Sequence, residues 1–462
     1  MLYDSIGALR ADLARGYACD ERDRLVVLSE PYCREQVAAR LATNAALNPD
    51  PRVKAAAIGD LRALAAALGA WPASIQGLYA AMGRGDVDRL TVPAVNVRGL
   101  SFEVAGALFE AALAADCGAF IFEIARTEIG YTPQPPAEFA AVILAAAVAT
   151  GYRGPVFIQG DHVQVRPKQY TADPAAELAG LESLIRAEIA AGFYNIDVDT
   201  STLVDLAQPD LDAQQRLNYQ LAARLTTLIR GEEPAGVSVS VGGEIGEVGT
   251  ANSTVEAFEA YMAGYQRELA RLAPGALGLS KISVQTGTSH GGVPLADGSI
   301  AAVKLDFGVL AAIGGRARRG YGLSGAVQHG ASTLPESLFH RFPASCCSEI
   351  HLATGFQNLI YAHPEFPPAL LAEIDAHLLR AHGNERAAGD SDEQFVYKLR
   401  KKSWGPFKAQ LWGLPAPLRA TLRAALREQF GFLIGQLGAA GSRALVERHV
   451  GLAQETGERS RG

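Results

Sequence analysis

The sequence predicts an α/β protein built on a closed (β/α)8 barrel with a helical extension at each end. Eight short runs of β-branched or aromatic residues are each followed by a stretch with helical spacing, and together they span residues 92–360. Such alternation implies parallel strands joined by right-handed crossovers, and eight units match the usual barrel length of about 250 residues. A doubly wound open sheet is the alternative fold, but no G-x-G-x-x-G sequence follows the first run.

The predicted strands and helices alternate along the chain. The strands are Val92–Val97, Phe120–Ile124, Val156–Gln159, Tyr194–Val198, Val237–Val241, Ile282–Gln285, Gly322–Gln328 and Glu349–Leu352. The helices between them are Glu103–Ala115, Pro136–Thr150, Ala175–Ala191, Leu211–Ile229, Val255–Leu272, Val303–Ile313 and Ser337–Phe342. Period-2 or continuous apolar runs indicate strands, and 3.6-residue spacing indicates helices.

The two flanks of the barrel show helical spacing. Residues 1–91 precede the first strand and read as mostly helical, with apolar spacing across Val37–Leu47 and Ala55–Leu68. Residues 361–462 are predicted to be helical again, interrupted by the polar stretch Gly383–Glu393, which is typical of a linker or mobile loop. The chain is therefore predicted to divide into extensions 1–91 and 361–462 around a barrel domain 92–360.

Composition excludes several classes of protein. Apolar residues make up 48% and charged residues 20%, which is typical of a globular protein. The 42 Lys+Arg against 49 Asp+Glu leave a net charge of −7, without the basic excess that duplex binding demands. Five cysteines form no disulfide framework, the first residues lack a signal-peptide pattern, and the longest apolar run, Ala140–Ala149, is too short for a bilayer. We expect a cytoplasmic protein that binds neither nucleic acid nor membrane.

Unusual polar residues follow five of the predicted strands. Asp161 and His162 end the third, and the others are Asp197, Glu244, His290 and His329 after the fourth to the seventh. In a barrel of parallel strands the carboxyl ends meet at one rim, where the active sites of this fold lie. We therefore expect these side chains to share one mouth.

Three histidines stand in glycine-containing turns, QGDH, GTSHGG and VQHGAS. Three imidazoles with an open fourth position are a common catalytic zinc arrangement. Any one of them alone is explained more simply as a strand cap, but His162, His290 and His329 together favour a metal site. His351, at the end of the eighth strand, is open to either interpretation.

The carboxylates allow more than one role. Asp161 precedes a predicted ligand, so in an extended strand its side chain points differently from that of His162. It is then placed for proton transfer to a substrate hydroxyl, or for fixing a histidine tautomer. Asp197 and Glu244 would supply another metal position or support the ligands, whereas Asp199 would point outward or cap the following turn.

The ordered set QGDH, IDVDTS, GGEIGEVG, GTSHGG and VQHGAS resembles the motifs of class II, metal-dependent fructose-bisphosphate and tagatose-bisphosphate aldolases. The resemblance extends from Val92 to about Asn358. It implies a TIM barrel, a zinc ion, and reversible aldol cleavage of a ketose phosphate or bisphosphate to a ketone phosphate and an aldehyde. A sugar phosphate would then be the substrate.

The resemblance also implies residue roles. His162, His290 and His329 would hold zinc, and Asp161 would exchange a proton with the hydroxyl at the scissile bond. Asp197 and Glu244 would match an acidic pair at a second position for a divalent or monovalent cation. The residues implied to contact substrate or its phosphate are Asn96, Gly291, Gly330, Ser332 and Thr354.

One departure from the family pattern concerns the second acid–base group. The family carries a glutamate on a mobile loop after the position of Glu244, where this chain has Asn252. Glu256 is predicted to replace it as a catalytic residue, with Glu247, or a proton from another group, as the alternatives.

Other departures surround the substrate. The stretch FEIARTEIGYT replaces a glycine-rich turn and brings Glu123, Arg126 and Glu128 toward the rim, so Arg126 is predicted to contact substrate. His351 stands where asparagine is frequent and is assigned the same role. These changes leave the metal and the base intact, and they favour an altered substrate.

The tail segment YKLRKKSWGPFKAQLW carries four cations, Arg400, Lys401, Lys402 and Lys408. It is either a solvated helix face or a segment that reaches a phosphate, across a subunit boundary in a homodimer or homotetramer. Two other functions stay open: a metal-dependent barrel hydrolase, although VPAVNV lacks a His-x-His pair, and a regulatory subunit that retains the metal residues.

Overall fold

The computed structural model describes residues 1–21, 24–246, 251–287, 305–332 and 334–450. Its strands are β1 Tyr17–Cys19, β2 Leu25–Val27, β3 Ala70–Ala73, β4 Val92–Asn96, β5 Ile121–Ala125, β6 Gly154–Gln164, β7 Asn195–Asp199, β8 Ser240–Glu244, β9 Lys281–Val284, β10 Ala326–Gln328 and β11 Cys347–Leu352. Its first nine helices are α1 Ile6–Leu13, α2 Glu30–Tyr32, α3 Ala38–Leu47, α4 Pro51–Ala67, α5 Gln76–Arg84, α6 Ser101–Ala114, α7 Arg126–Tyr131, α8 Pro136–Thr150 and α9 Pro167–Ala172. The remaining helices are α10 Pro174–Ala191, α11 Leu211–Glu232, α12 Val255–Leu272, α13 Phe307–Tyr321, α14 Thr354–Tyr361, α15 Pro368–Ala381, α16 Asp392–Leu399, α17 Lys408–Trp412, α18 Ala416–Gln436 and α19 Arg443–Val450.

Eight parallel strands, β4 to β11, close into a barrel. Their order around it is β6-β5-β4-β11-β10-β9-β8-β7, and β7 pairs again with β6. The predicted (β/α)8 barrel with helical additions is thereby confirmed. Because every strand is covered by helices outside and packed side chains inside, all five residues of β4, β5 and β7 are buried.

All eight predicted strands differ from the observed ones by one or more residues at an end, and the third extends from Gly154 to Gln164 rather than from Val156 to Gln159. The seventh and the fifth show the physical reasons. The seventh is only Ala326–Gln328 rather than Gly322–Gln328, because Gly322 adopts a left-handed conformation, with φ of 69°, and ends α13. The fifth begins three residues late and continues to Glu244, since Gly242 and Gly243 pair with β9. Glu244 therefore lies within a strand rather than after it.

Strand β6 contains the feature that shapes the site. Its pairing with β7 is irregular between Gly160 and Val163, and His162 has a φ of +41° there. A positive φ is rare for a residue with a side chain, and it breaks the alternation of an extended strand. As a result Asp161 and His162 both face the mouth of the barrel, contrary to the predicted alternation.

The amino-terminal extension is not purely helical. Helices α3 and α4 pack on α8, but β1 and β2 form an antiparallel pair and β3 joins the barrel sheet. Strand β3 pairs with Gly154–Phe157, the first part of the long β6, while β7 pairs only from Gln159 onward. Strand β3 therefore pairs with backbone groups in the first part of β6 that would otherwise have no partner. The prediction that residues 1–91 are mostly helical did not include these strands.

The carboxyl-terminal extension docks against the barrel at two places. Helix α18 packs along α6 and buries Leu422, Leu426 and Phe430. Nearer the mouth, Trp404 packs so closely on Gly99 that a β-carbon there would lie 2.0 Å from the indole ring. This segment is consequently held next to the loop that follows β4.

Within the described parts of the chain, no helix combines the length and apolar character needed to cross a membrane.

Candidate active site

The carboxyl ends of the barrel strands open into a cavity of about 380 Å³. Its lining from the barrel domain is Asn96, Arg98, Glu123, Ala125, Thr127, Glu128, Tyr131, Asp161, His162, Gln164, His329, Gly330, Ser332, His351, Ala353, Thr354 and Gln357. The carboxyl-terminal extension adds Tyr397, Lys398 and Lys401. The cavity thus lies at the rim where barrels of this class carry their sites.

Eight of the residues predicted for the site line this cavity. They are Asn96, Asp161, His162, His329, Gly330, Ser332, His351 and Thr354. His290, Gly291 and Glu247 lie outside the described residues. The eight come from four β-α units, those of β4, β6, β10 and β11, and the closed barrel brings them together.

A cluster of Asp161, His162, Asp199, Glu244 and His329, here called the rim cluster, stands at one side of the cavity. His162 Nδ1 lies 2.9 Å from Asp199 Oδ2 and 3.4 Å from Glu244 Oε2. Its Nε2 faces Asp161 Oδ1 at 4.0 Å, and its ring centroid is 4.4 Å from that of His329. Asp161, His162 and His329 offer ligand atoms within 4.8 Å of one another, which fits a divalent metal ion.

The charges of the rim cluster are strongly coupled. Burial opposes the charged form of His162, but Asp161, Asp199 and Glu244 together hold its pKa well above the ordinary value. Burial and the neighbouring Asp199 raise the pKa of Glu244 to about 7. Burial opposes ionisation of Asp161 too, yet His162 and His351 hold its pKa well below the usual range. Asp161 is therefore an ionised carboxylate beside two imidazoles.

Asp199 is a member of the rim cluster that the sequence reading placed elsewhere. It was expected to point outward or cap a turn, but it is 1% exposed and contacts His162. It also accepts hydrogen bonds from Ser201 Oγ and Gln164 Nε2. Because residues two apart on a strand share a face, the inward direction of Asp197 already implied the same for Asp199.

A second polar group, here called the inner network, fills the barrel beneath the cavity: Gln159, Asp197, Lys281, Glu349 and His351. Lys281 Nζ lies 2.9 Å from Asp197 Oδ1, 2.5 Å from Glu349 Oε1 and 2.8 Å from Gln159 Oε1. His351 Nε2 lies 2.7 Å from Glu349 Oε1 and 3.6 Å from Asp197 Oδ2. All five residues are buried, and none is more than 6% exposed.

The inner network carries its own cation. Burial opposes ionisation of Glu349, but Lys281 and His351 hold its pKa far below the usual range. Asp197 has its pKa raised to about 6 by burial, with Lys281 opposing the rise. Asp197, predicted as a metal ligand, does not line the cavity; it pairs with the ammonium group of Lys281. That internal charge disfavours a metal cation beside it.

His351 connects the two groups. Its Nδ1 lies 2.9 Å from Glu123 Oε2 and 3.2 Å from Asp161 Oδ1, and its ring is 4.1 Å from that of His329. Carboxylates on both sides outweigh burial and hold its pKa well above the ordinary value. His351 therefore lines the cavity as a cation that orients Asp161.

Two predicted site residues lie elsewhere. Arg126, expected to contact substrate, donates to Glu177 and to the carbonyl of Gln164 and does not line the cavity. Glu256, expected to act as an acid or base, is exposed in the first turn of α12 and is likewise absent from the lining. Helix α7 begins at Arg126, where a rim loop was expected, so the Arg126 side chain follows the helix. Glu256 lies in a helix that has its predicted bounds, and its side chain is exposed there.

The sequence reading missed other parts of the site. Arg98 Nε donates to Glu128 Oε1 at 2.6 Å, and Asn96 Nδ2 donates to Glu128 Oε2 at 2.6 Å. Alternation along β4 could have identified Arg98, which lies two residues after Asn96. No local pattern identifies Lys281 as the cation of the inner network, because its partners come from other strands.

This chain is a (β/α)8 barrel whose mouth carries histidine and carboxylate side chains, the residue types that ligate metal ions. The family model described as Fructose-bisphosphate aldolase class-II matches residues 82–388, and the chain belongs to that family. The recognised resemblance is thereby confirmed. No curated protein sequence matches the chain.

Several solved structures are similar to this chain. A probable tagatose 6 phosphate kinase from Sinorhizobium meliloti is 18% identical, with a TM-score of 0.52 over 78% of this chain and 93% of that one. The fructuronate-tagaturonate epimerase UxaE from Cohnella laeviribosi, in a glycerol complex, is 13% identical, with a TM-score of 0.59 over 92% and 90%. A fructose-bisphosphate aldolase from Campylobacter jejuni is 15% identical, with a TM-score of 0.48 over 81% and 96%. The first two likenesses show the shared fold.

Proposed function

We propose that this protein is a zinc-dependent lyase that cleaves a ketose phosphate reversibly into a ketone phosphate and an aldehyde. The observation that carries the proposal is the convergence of Asp161, His162 and His329 within 4.8 Å at the cavity. Membership of the class II aldolase family supports an aldolase-type reaction. Imidazole nitrogens are ligands that suit zinc, and the carboxylate beside them is placed to accept a proton.

His162 and His329 would hold the ion, with His290 as the proposed third ligand. Asp199 and Glu244 contact Nδ1 of His162, so its Nε2 is the nitrogen directed toward Asp161. Carboxylates behind a ligand fix its tautomer and ring orientation. A divalent ion bound here supplies Lewis-acid polarisation of a carbonyl oxygen.

Asp161 is the proposed base. Its ionised carboxylate accepts the proton of the hydroxyl next to the scissile carbon–carbon bond, and that hydroxyl becomes the aldehyde. The electron pair of the broken bond passes to the ketone fragment, whose carbon later takes up a proton. His351, 3.2 Å from Asp161 Oδ1, holds the carboxylate in position throughout.

Epimerisation of a ketose is a second candidate function. Tyr397, Lys398 and Lys401 of the carboxyl-terminal extension line the cavity mouth, so both fragments of a cleaved sugar would be retained. If the aldehyde rotates before the carbon–carbon bond forms again, the ketone fragment adds to the opposite face of its carbonyl. The configuration of one hydroxyl-bearing carbon is then inverted. The match to the solved epimerase covers 92% of this chain.

The deciding experiment incubates the protein with ketose phosphates, ketose bisphosphates and keto-uronates, before and after chelation and after zinc is restored. We expect aldehyde release from a ketose phosphate that chelator abolishes and zinc restores. Formation of an epimer without free aldehyde would favour the second candidate. A rate unaffected by chelator would contradict both.

Asp161→Asn separates base from ligand in the same assay. Because the amide cannot accept the proton, turnover should fall about 10²–10⁴-fold, while the zinc content stays that of the parent. Turnover equal to that of the parent would reject Asp161 as the base.

We also propose that the protein assembles as a homodimer or homotetramer, which light scattering would test.

A further inference from the structure

The basic segment of the carboxyl-terminal extension contains one cation that differs from its neighbours. Four of the five cations between residues 398 and 408 form ion pairs: Lys398 with Asp390, Arg400 with Asp375, Lys402 with Glu385, and Lys408 with Glu138. Lys401 forms no ion pair or hydrogen bond with any described residue. It is half-buried and lines the cavity.

Lys401 stands beside another cation rather than beside an anion of its own. Burial and the neighbouring Arg98 guanidinium both lower the pKa of Lys401, and Glu128 opposes them. Arg98 Nη1 lies 3.4 Å from Thr354 Oγ1, and both residues line the same cavity. Two cations and a hydroxyl therefore face one volume.

Glu128 does not neutralise this pair of cations. Its Oε1 accepts from Arg98 at 2.6 Å and from the Tyr131 hydroxyl at 3.4 Å. Its Oε2 accepts from Asn96 at 2.6 Å and from the Ala125 amide at 2.9 Å. With both oxygens occupied, one carboxylate balances one of the two cations, and a positive charge is left over.

The segment that carries Lys401 is anchored. Ser403, fully buried, lies 2.8 Å from the Tyr361 hydroxyl, and Trp404 Nε1 donates to Gln357 Oε1 at 3.1 Å. The packing of Trp404 on Gly99 fixes the same turn against the barrel. A cation held in place at a cavity is preorganised for a ligand, since little side-chain freedom is lost on binding.

We propose that Lys401 and Arg98, with Thr354, bind the terminal anionic group of the substrate, a phosphate ester or a carboxylate. This inference rests on the proposed function, because it names the end of the substrate that lies away from the rim cluster. Charged donors on an oxyanion form the stronger class of hydrogen bond. Lys401 is thus a specificity-determining residue contributed by the extension rather than by the barrel.

Titration calorimetry of the zinc-loaded protein with inorganic phosphate and, separately, with gluconate tests the proposal. We expect the parent to bind at least one probe, and the stronger of the two identifies a phosphate or a carboxylate as the natural group. Lys401→Met should weaken that binding about 10- to 100-fold, and Lys401→Arg should retain most of it. The matched control Lys402→Met, whose parent side chain pairs with Glu385 outside the cavity, should bind like the parent.

The proposal is overturned if the parent binds neither phosphate nor gluconate. It is also overturned if Lys401→Met binds both probes as tightly as the parent while circular dichroism shows that parent and variant are folded. These titrations need no turnover, so their outcome is independent of the reaction. Should no ketose be cleaved or epimerised while phosphate binding still depends on Lys401, the proposed function fails and the anion site stands. With an active substrate, Lys401→Met should raise KM for the anionic sugar and leave KM for its neutral parent ketose unchanged.

Discussion

The rim cluster and the inner network both combine carboxylates with histidine, but they differ in access and in charge compensation. The rim cluster has three carboxylates around two histidines, contains no lysine or arginine, and opens to a cavity of about 380 Å³. The inner network holds two carboxylates with Lys281 between them, and of its five residues only His351 lines the cavity. Acidic residues in a barrel therefore indicate a cation site only where the protein has not supplied the cation itself.

His162→Ala and His329→Ala should have the largest effect, because they remove proposed metal ligands from the cluster that contains no lysine or arginine. We expect zinc content to fall from about one per chain to near zero, with loss of activity. Mass spectrometry measures the zinc content per chain. The control is His340→Ala, because His340 is exposed. Unchanged zinc in either variant would move the metal site away from the rim cluster.

Lys281→Met should reveal the opposite behaviour in the inner network. Removing the ammonium group leaves Asp197 and Glu349 buried without it, so the free energy of unfolding should fall by about 3–5 kcal/mol. Urea denaturation measures this, and Lys281→Met with Glu349→Gln should recover part of the loss. A loss as small as that of an exposed ion pair, below about 1 kcal/mol, would show that Lys281 does not balance the network.

Glu188 offers a carboxylate that lacks even the compensation of the inner network. It is fully buried behind Gly160, and neither oxygen has a hydrogen-bond partner among the described residues. Burial raises its pKa to about 8 from an ordinary value of 4.5, with Arg126 opposing the rise. The folded protein thus keeps the proton that the unfolded chain loses, and stability falls as pH rises from about 4.5 to 8.

Glu188→Gln should remove that loss. The stability of the variant relative to the parent should increase by on the order of 3 kcal/mol between pH 5 and pH 8. Thermal unfolding across this range measures it. A difference that is constant with pH would mean that Glu188 ionises normally in the folded protein.

Glu256→Gln should have the smallest effect, since its side chain is exposed and absent from the cavity lining. We expect kcat and KM equal to those of the parent on any substrate that is cleaved. A large fall in kcat with normal zinc content would restore Glu256 as the second acid or base.

The sequence identified Asp161, His162 and His329 of the rim cluster because they follow strands, and parallel strands present their ends at one rim. It could not predict that Asp161 and His162 both face the cavity, since the irregular pairing at Gly160 and the positive φ of His162 depend on a neighbouring strand. It also did not predict helix α7, which directs Arg126 away from the cavity.

The sequence by itself determined the order of β-α units, and hence the closed barrel, because local periodicity and the handedness of crossovers leave few arrangements. Only the tertiary structure decided which charges are balanced. Lys281 meets Asp197 and Glu349 across the barrel, and Lys401 reaches a cavity formed by strands far earlier in the chain. Electrostatic interactions depend on separation in space and on burial, and neither quantity is encoded in the spacing of residues along the chain.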